Sequence, residues 1–494
     1  MASTEAVSIS AQDLRALVTR MLVASGLSGD AAARVADGLV EADLEGAASH
    51  GVMLMDMYLE RIRSGSVSTN TAARVISDRG SAVVLDAGHA LGQLTGEQAM
   101  GLAVERAKQF GAGVVSIRHA FHFGTARRYA QAAAEAGCIG VAMCNTRPLM
   151  PAPGGAERVV GNNPIAVALP VAGPIPIVLD MATSEAAMGK IRMAEKAHEP
   201  IPGNWAVTSD GAPTTDAAAA IAGMLLPVGG PKGFGLAFII DLMCGLLSGG
   251  AVGEEVRPLY GDLSSAYDCS HLFIAIDVEH FCDPDEFRAR AAAATDRIRG
   301  GRRAAGVEAL FAPGEPEWRR RQAAREEVQL SPQVASMLVR FARELGVSAA
   351  PLETTSNQRK ADMPKREISS DAIRKPSGVF SQATAVEAKG RLVFISGMTA
   401  RRPDGSIAGV GDIAAQTRQV CENIKAAVEA AGGTLDDVCR VDVYVRNMEH
   451  FEAIHKVRRE YFKPPLPAST MVEVTKMTSP DYLIEINAIA VVAD

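Results

Sequence analysis

The sequence predicts two folded units of different class, an α/β unit followed by a smaller α+β unit. Three observations carry this. From about Arg74, short apolar β-type runs alternate with helical stretches, as in a sheet covered by helices. Residues 348–377 are rich in Ser, Thr, Pro, Lys and Arg without apolar periodicity, which marks a linker, clearest in its first half. A compact strand-and-helix pattern then begins again and does not repeat the first. The expected boundaries are 1–347 for the first unit, 348–366 for the linker and 367–494 for the second.

Residues 11–27 place Leu14, Leu17, Val18, Met21 and Leu22 at helical spacing. Ser28 or Asp30 can cap the next helix, which runs to about residue 48. His50 and Gly51 follow directly, and a third helical pattern covers 53–62. β-type runs stand at 82–85, 113–117, 139–143, 165–169 and 177–179, with helices at 96–110 and 125–136. Residues 200–215 read as loops. A helix at 234–247, a strand at 272–278, a helix at 284–298 and a charged stretch at 300–325 follow, and an amphipathic helix at 332–345 closes the unit. The second unit predicts strands at 381–388 and 392–396, a turn at 403–405, a helix at 413–431, a strand at 439–446, a helix at 449–462, and strands at 471–476 and 482–492. In the last strand Leu483, Glu485 and Asn487 alternate with Ile484, Ile486 and Ala488, so one face should be covered.

The chain of 494 residues is 48% hydrophobic and 22% charged, enough to bury sizeable cores. Its net charge of −7 and the lack of a basic block argue against a nucleic-acid partner. None of the seven cysteines forms a CxxC pair, so they read as reduced, buried thiols of a cytoplasmic protein. The opening MASTEAVSIS has neither the basic nor the apolar region of a secretory signal. Residues 233–250, GFGLAFIIDLMCGLLSGG, nearly reach membrane-spanning length, but Asp241 at their centre favours a core helix, and no membrane association is expected.

A dinucleotide fingerprint is not visible. The one GxGxxA match, Gly409, Gly411 and Ala414, follows a loop in the second unit and reads as a turn before a helix. His119 and His122 lack a third ligand at suggestive spacing, so no metal is expected. A different constellation stands out. His50 follows a helix beside Gly51, which permits close approach. His122 precedes a helix, and Asp180 ends an apolar strand before small residues. Lys232 sits in a glycine-rich turn opening a helix, where N–H groups and positive charge can hold phosphate.

In this order these motifs resemble the malate/L-lactate dehydrogenase family that lacks a Rossmann fold, over about residues 7–347. The matching text includes SHGV at 49–52, HFG at 122–124, GNNPIAVALP at 161–170, VLDMATS at 178–184, GAPTTD at 211–216 and PKGFGLA at 231–237. The resemblance implies an enzyme that moves hydride between NAD(P)H and C2 of a 2-oxo or 2-imino acid. His50 would be the proton donor, Asp180 would orient or tune it, and His122 would line the site. Val178, Asp180, Met181, Ala182, Thr183, Ser184, Lys232, Gly314 and Glu315 would contact the cofactor. The text has no readable pocket for a ribose 2′-phosphate, so NAD and NADP both stay open.

Two departures concern the substrate. The family's arginine four residues after the histidine is Leu54 here, and a second, three further on, is Met57. The asparagine before the second histidine is Phe121. Leu54 and Phe121 should then line an altered substrate pocket: either Arg147 or Arg127 replaces the grip on a carboxylate, or the substrate is less polar than a plain 2-oxo acid, or activity is impaired.

The second unit resembles the Rid/YjgF family, with a chorismate mutase-like α+β fold, over about residues 367–494. The match rests on FSQATAV at 380–386, FISGM at 394–398, the run at 415–438, and DVYVRNM at 442–448. The resemblance implies an imine- or enamine-handling site with Ser396 and Glu485, but the family's P-A-R arginine is Ser469 here. A deaminase of altered specificity and a purely trimerising module both stay open, as does a non-catalytic binding protein. Two-fold pairing of the first unit and three-fold assembly of the second would close a homo-oligomer as a D3 hexamer.

Overall fold

The computed structural model describes residues 6–197, 199–350, 352, 365–368, 381, 383–386 and 391–492. The chain divides into two compact units, Glu5–Leu352 and Glu353–Asp494.

The first unit opens with β1 (Val7–Ser10) and three helices, α1 (Ala11–Ala24), α2 (Gly29–Leu44) and α3 (Met55–Ser64). Ser28, not Asp30, caps α2, its side chain accepting from Ala31 N–H. A mixed sheet follows, built from β2 (Arg74–Arg79), β3 (Ala82–Asp86), β4 (Ala112–Ala120), β5 (Cys138–Cys144), β6 (Ile165–Leu169), β7 (Ile177–Met181) and β10 (Cys269–Asp277). Its order is β2-β3-β4-β10-β5-β6-β7, and only β3 and β4 run parallel. That antiparallel content sets it apart from a doubly wound dinucleotide fold.

Side chains of β10 alternate between two cores. Phe273 and Ala275 join the main core, which includes residues of α4 (Gly92–Phe110) and α5 (Arg127–Glu135), and Leu272 packs with Ile240 and Cys244 of α8 (Pro231–Ser248). The sheet is therefore sandwiched between helices. A smaller core around Met150, Ile191, Ala220 and Leu225 unites α6 (Met188–Ala197), α7 (Ala217–Ala222) and the two-residue pair β8 (Ala206–Val207) and β9 (Met224–Leu225). α9 (Pro284–Arg299), α10 (Glu315–Ala323), β11 (Glu327–Leu330) and α11 (Pro332–Glu344) complete the unit, with β11 pairing β1.

α8 departs from the expected all-round burial. Gly233, Ala237, Ile240, Asp241 and Cys244 are buried, while Leu236, Phe238, Ile239, Leu246 and Leu247 are exposed. Asp241 is held inside by Asn145 Nδ2 at 2.9 Å and Gly253 N–H at 2.9 Å.

In the second unit, β12 (Lys365–Ile368) pairs antiparallel with β13 (Ala383–Val386), so ordered pairing resumes before the expected linker ends. Most of that linker, and residues 387–388 of a predicted strand, lie outside the described residues. β14 (Arg391–Met398), β15 (Val438–Val445), β16 (Ala468–Glu473) and β17 (Ile484–Val492) form a sheet of order β14-β17-β15-β16. α12 (Ile413–Ala430) and α13 (Phe451–Tyr461) supply Val420, Ile424 and Ile454 to a core with Ile484, Ile486 and Ala488. Glu485 and Asn487 face the other way, and Phe394 is 71% exposed. Asp412 caps α12, so the GxGxxA match is a turn before a helix.

Candidate active site

His50 ends a short 3₁₀ turn, Ala48–His50, beyond α2. The group that approaches Gly51 is a carboxylate: a Cβ there would overlap Asp43, whose Oδ2 also accepts Val52 N–H at 2.8 Å. Burial pushes the Asp43 carboxyl up to about 7, against the pull of that bond. Ser49 Oγ lies 2.9 Å from His50 Nδ1.

His122 lies in the loop after β4. Gly92, the first residue of α4, rests against the Phe121 and His122 carbonyl oxygens, where a Cβ would clash. The Tyr58 hydroxyl is 2.8 Å from His122 Nδ1, and Gln93 Nε2 is 2.9 Å from that hydroxyl. The His50 and His122 rings stack with centroids 5.5 Å apart and planes 27° apart. Burial, followed by the nearby His50 and His271, lowers His122 to about 3, and burial also holds His50 below its ordinary value. Two imidazoles in this contact cannot both be charged, so at neutral pH the site presents neutral rings.

Asp180, at the end of β7, accepts the Arg127 N–H at 3.1 Å. Its surface is open to water, which limits the effect of the surrounding protein atoms that push its carboxyl up to about 6. Its hydrogen bond runs to Arg127, and among the described residues none joins it to His50, the residue it was expected to orient or tune. The Arg127 side chain pairs with buried Glu45 at 3.3 Å and is not a free grip for a substrate.

The cofactor candidates separate into two groups. Met181 and Ala182 are half-buried, and Asp180 and Lys232 are exposed. Val228 N–H bonds Thr183 O at 2.9 Å and brings the Lys232 turn beside this segment. Gly229 and Gly230, with φ of 60° and 63°, give the turn a left-handed path into the N-terminus of α8. An exposed cation at a helix start beside open strand-end backbone fits a dinucleotide phosphate. Val178, Thr183, Ser184, Gly314 and Glu315, the other expected cofactor contacts, are buried. Glu315 is bound by Arg299 at 2.8 Å and Arg319 at 2.7 Å, and Ser184 Oγ by Ala186 O at 2.9 Å. Gly314 lies on the Val178 backbone, where a Cβ would crowd it.

Leu54 and Phe121 are 2% and 1% exposed and belong to the main core, so neither opens onto a substrate pocket as expected. The Phe121 ring packs edge-on against Tyr58 and Tyr267. Arg147 is half-buried in the loop after β5, within electrostatic reach of Tyr267 and of the cations Arg158 and Arg192. Its loop is fixed by Asn163, whose Oδ1 accepts Thr146 N–H at 2.8 Å and whose Nδ2 donates to Ala237 O of α8 at 2.9 Å. Tyr58, Gln93 and Thr146 were not legible as site residues, because no local spacing marks them.

In the second unit a Cβ on Gly397 would overlap the Glu485 carboxylate, so Gly397 and Glu485 are neighbours. Gly397 and Glu485 border a surface cleft with Tyr444, Lys476, Thr478 and Asn487, and Ser396 directly precedes Gly397. Ser469 is not part of it. Its hydroxyl accepts from buried Arg458 of α13 at 3.1 Å, on the helix-covered side of the sheet. The expectation that Ser469 and Glu485 share a site is corrected within one chain: the pleat points them to opposite faces.

Neutral burial of His122 and His271, both lowered to about 3, has a stability consequence. Above pH 6.5 neither the folded nor the unfolded state binds these protons. Below it the unfolded chain takes them up and the fold refuses them, so stability falls toward pH 3 at about 1.4 kcal/mol per pH unit per histidine. Urea midpoints should drop between pH 7 and pH 5, and His271→Phe should flatten that drop.

Residues 9–339 match the malate/L-lactate dehydrogenase family, and residues 370–492 match the endoribonuclease L-PSP family. A malate dehydrogenase of Pyrococcus abyssi is 38% identical over 317 residues, 63% of this chain and 86% of the relative. The solved sulfolactate dehydrogenase of Methanocaldococcus jannaschii is similar with a TM-score of 0.66 and 34% identity, covering 70% of this chain and 99% of that one. A delta1-piperideine-2-carboxylate reductase of Pseudomonas syringae is similar with a TM-score of 0.62 and 27% identity, covering 68% and 99%.

Proposed function

The chain belongs to the malate/L-lactate dehydrogenase family, joined to a Rid-type domain, and from that premise we propose that it reduces a 2-oxo or 2-imino acid at C2 with NAD(P)H. The observation that carries this reading is the stacked His50–His122 pair, both rings held below their ordinary values by burial. When bound, the cofactor supplies the hydride. Lys232 and the N-terminus of α8 hold its phosphates, and Asp180 to Ala182 line its path. His50, open on one side and braced by Ser49, delivers the proton to the substrate oxygen or nitrogen. His122 donates a hydrogen bond to the same atom, and Arg147 grips the carboxylate in place of the arginines replaced by Leu54 and Met57.

The imino-acid option is supported by the joined Rid-type domain, whose relatives act on imines and enamines. A shared chain raises the local concentration of an unstable imine between two sites. The cleft at Glu485 is the place for imine or enamine chemistry, and assembly through the exposed sheet face would make the chain a homo-oligomer.

The test is turnover of the full chain with pyruvate and with a cyclic imino acid, each with NADH and NADPH, alongside light scattering. Cofactor oxidation that depends on either substrate, by an oligomer, is expected. Cofactor binding without turnover of any 2-oxo or 2-imino acid would leave only the non-catalytic reading.

A further inference from the structure

We infer that Tyr58 and Gln93 are positioning residues that fix His122 in its Nε2–H tautomer, so that it meets the substrate as a neutral hydrogen-bond donor. The inference rests on the reading above that His122 faces the reacting centre.

A phenol has one proton to give and two lone pairs with which to accept. Gln93 Nε2 donates to the Tyr58 oxygen at 2.9 Å, which occupies one lone pair. The single Tyr58 proton then goes to the nearer acceptor, His122 Nδ1 at 2.8 Å, rather than to the His122 carbonyl oxygen at 3.4 Å. A second donor, the Gly124 N–H, points at the same Nδ1 from 3.4 Å. A nitrogen that accepts from two sides carries no proton, and a neutral imidazole must then keep its proton on Nε2.

The relay is sealed and rigid. Tyr58 is fully buried and Gln93 is 1% exposed, so water does not compete for these bonds. Burial raises the phenol far above its ordinary range and keeps it protonated. The two residues come from α3 and α4, and Gly92 beside Gln93 rests on the Phe121–His122 backbone. One turn of α4 therefore sets both where the ring sits and which nitrogen bears its proton. The consequence is a division of labour: His122 polarises the reacting bond, while His50 exchanges the proton.

Two variants of the full chain test this. In Gln93→Glu a carboxylate of the same shape accepts from the Tyr58 hydroxyl, so the phenol oxygen must instead accept from Nδ1–H. Solid-state ¹⁵N spectra of histidine-labelled chain, assigned by difference against His122→Gln, should show the protonated and bare nitrogens exchanged. Tyr58→Phe removes the donor and should give a mixture of tautomers, with kcat lowered about 10-fold or more, the scale on which groups that orient a histidine act. KM for the cofactor should not move in either variant. An unchanged ¹⁵N pattern in both would overturn the positioning role. A changed pattern with undiminished kcat would overturn the part that places His122 on the substrate. The nitrogen readout needs neither substrate nor cofactor, so failure of the dehydrogenase reading would appear separately, as absent turnover in the unaltered chain.

Discussion

Replacing His50 by glutamine is expected to lower kcat for reduction about 10²- to 10⁴-fold, the range in which a positioned acid acts. Glutamine keeps a polar group of similar reach but exchanges no proton. Binding of NAD(P)H, followed by fluorescence quenching, should stay within a fewfold, because the Asp180–Ala182 strand end and Lys232 are untouched. The unaltered enzyme should carry a matching pH signature. Burial holds His50 below its ordinary value of 6.5, so the limb on which reduction slows with rising pH should begin below that value. Oxidation of the product should rise over the same interval, since it needs the neutral ring. A glutamine variant that retains full kcat would remove His50 from the chemistry.

The second large effect is expected at Arg147. This guanidinium is half-buried, no described carboxylate lies against it, and its charged neighbours Arg158 and Arg192 are cations. Burial and like charge both disfavour its ionised form, so an anion in the pocket relieves an existing cost. Arg147→Met should reduce kcat/KM roughly 30- to 4,000-fold, equivalent to about 2–5 kcal/mol, the scale for removing one partner of a buried charge pair. The same variant should melt higher than the unaltered chain without substrate, because an uncompensated charge has gone. Arg147→Lys should recover part of the activity, through charge without the bidentate fork. Loss of activity together with loss of stability would make Arg147 a structural residue instead.

How far the sequence reached depended on whether a feature is local. Helices and central strands follow from periodicity, and they stand within a few residues of their expected places. α10 was hidden, because EPEWRRRQA is charged on every side and is anchored by buried Glu315 rather than by an apolar stripe. β1 and β11 are four residues each, too short for a periodic signal, and are recognisable only by their pairing with one another. At the site, His50, His122 and Lys232 were legible because each sits in a short motif. Leu54 and Phe121 were misjudged because position beside a motif says nothing about which way a side chain packs. Glu315 was misjudged because its partners Arg299 and Arg319 lie on either side of it in sequence, one of them sixteen residues away. Ser469 and Glu485 were paired in error because strand pairing, which decides the face each occupies, is a property of the folded sheet.

The buried Asp241–Asn145 contact makes α8 a lever. Lys232 lies nine positions before Asp241 on one rigid helix (241 − 232), a distance of about 14 Å at a rise of ~1.5 Å per residue. A tilt of about 4° about Asp241 would carry the lysine end through ~1 Å, a displacement that can cost on the order of 10²-fold in rate. Asn145 directly precedes the Thr146–Arg147 segment, so the same fulcrum anchors the loop that carries Arg147. The Lys232 end of α8 and the Arg147 loop are thereby geared together. Loosening either one by mutation would be felt at the other.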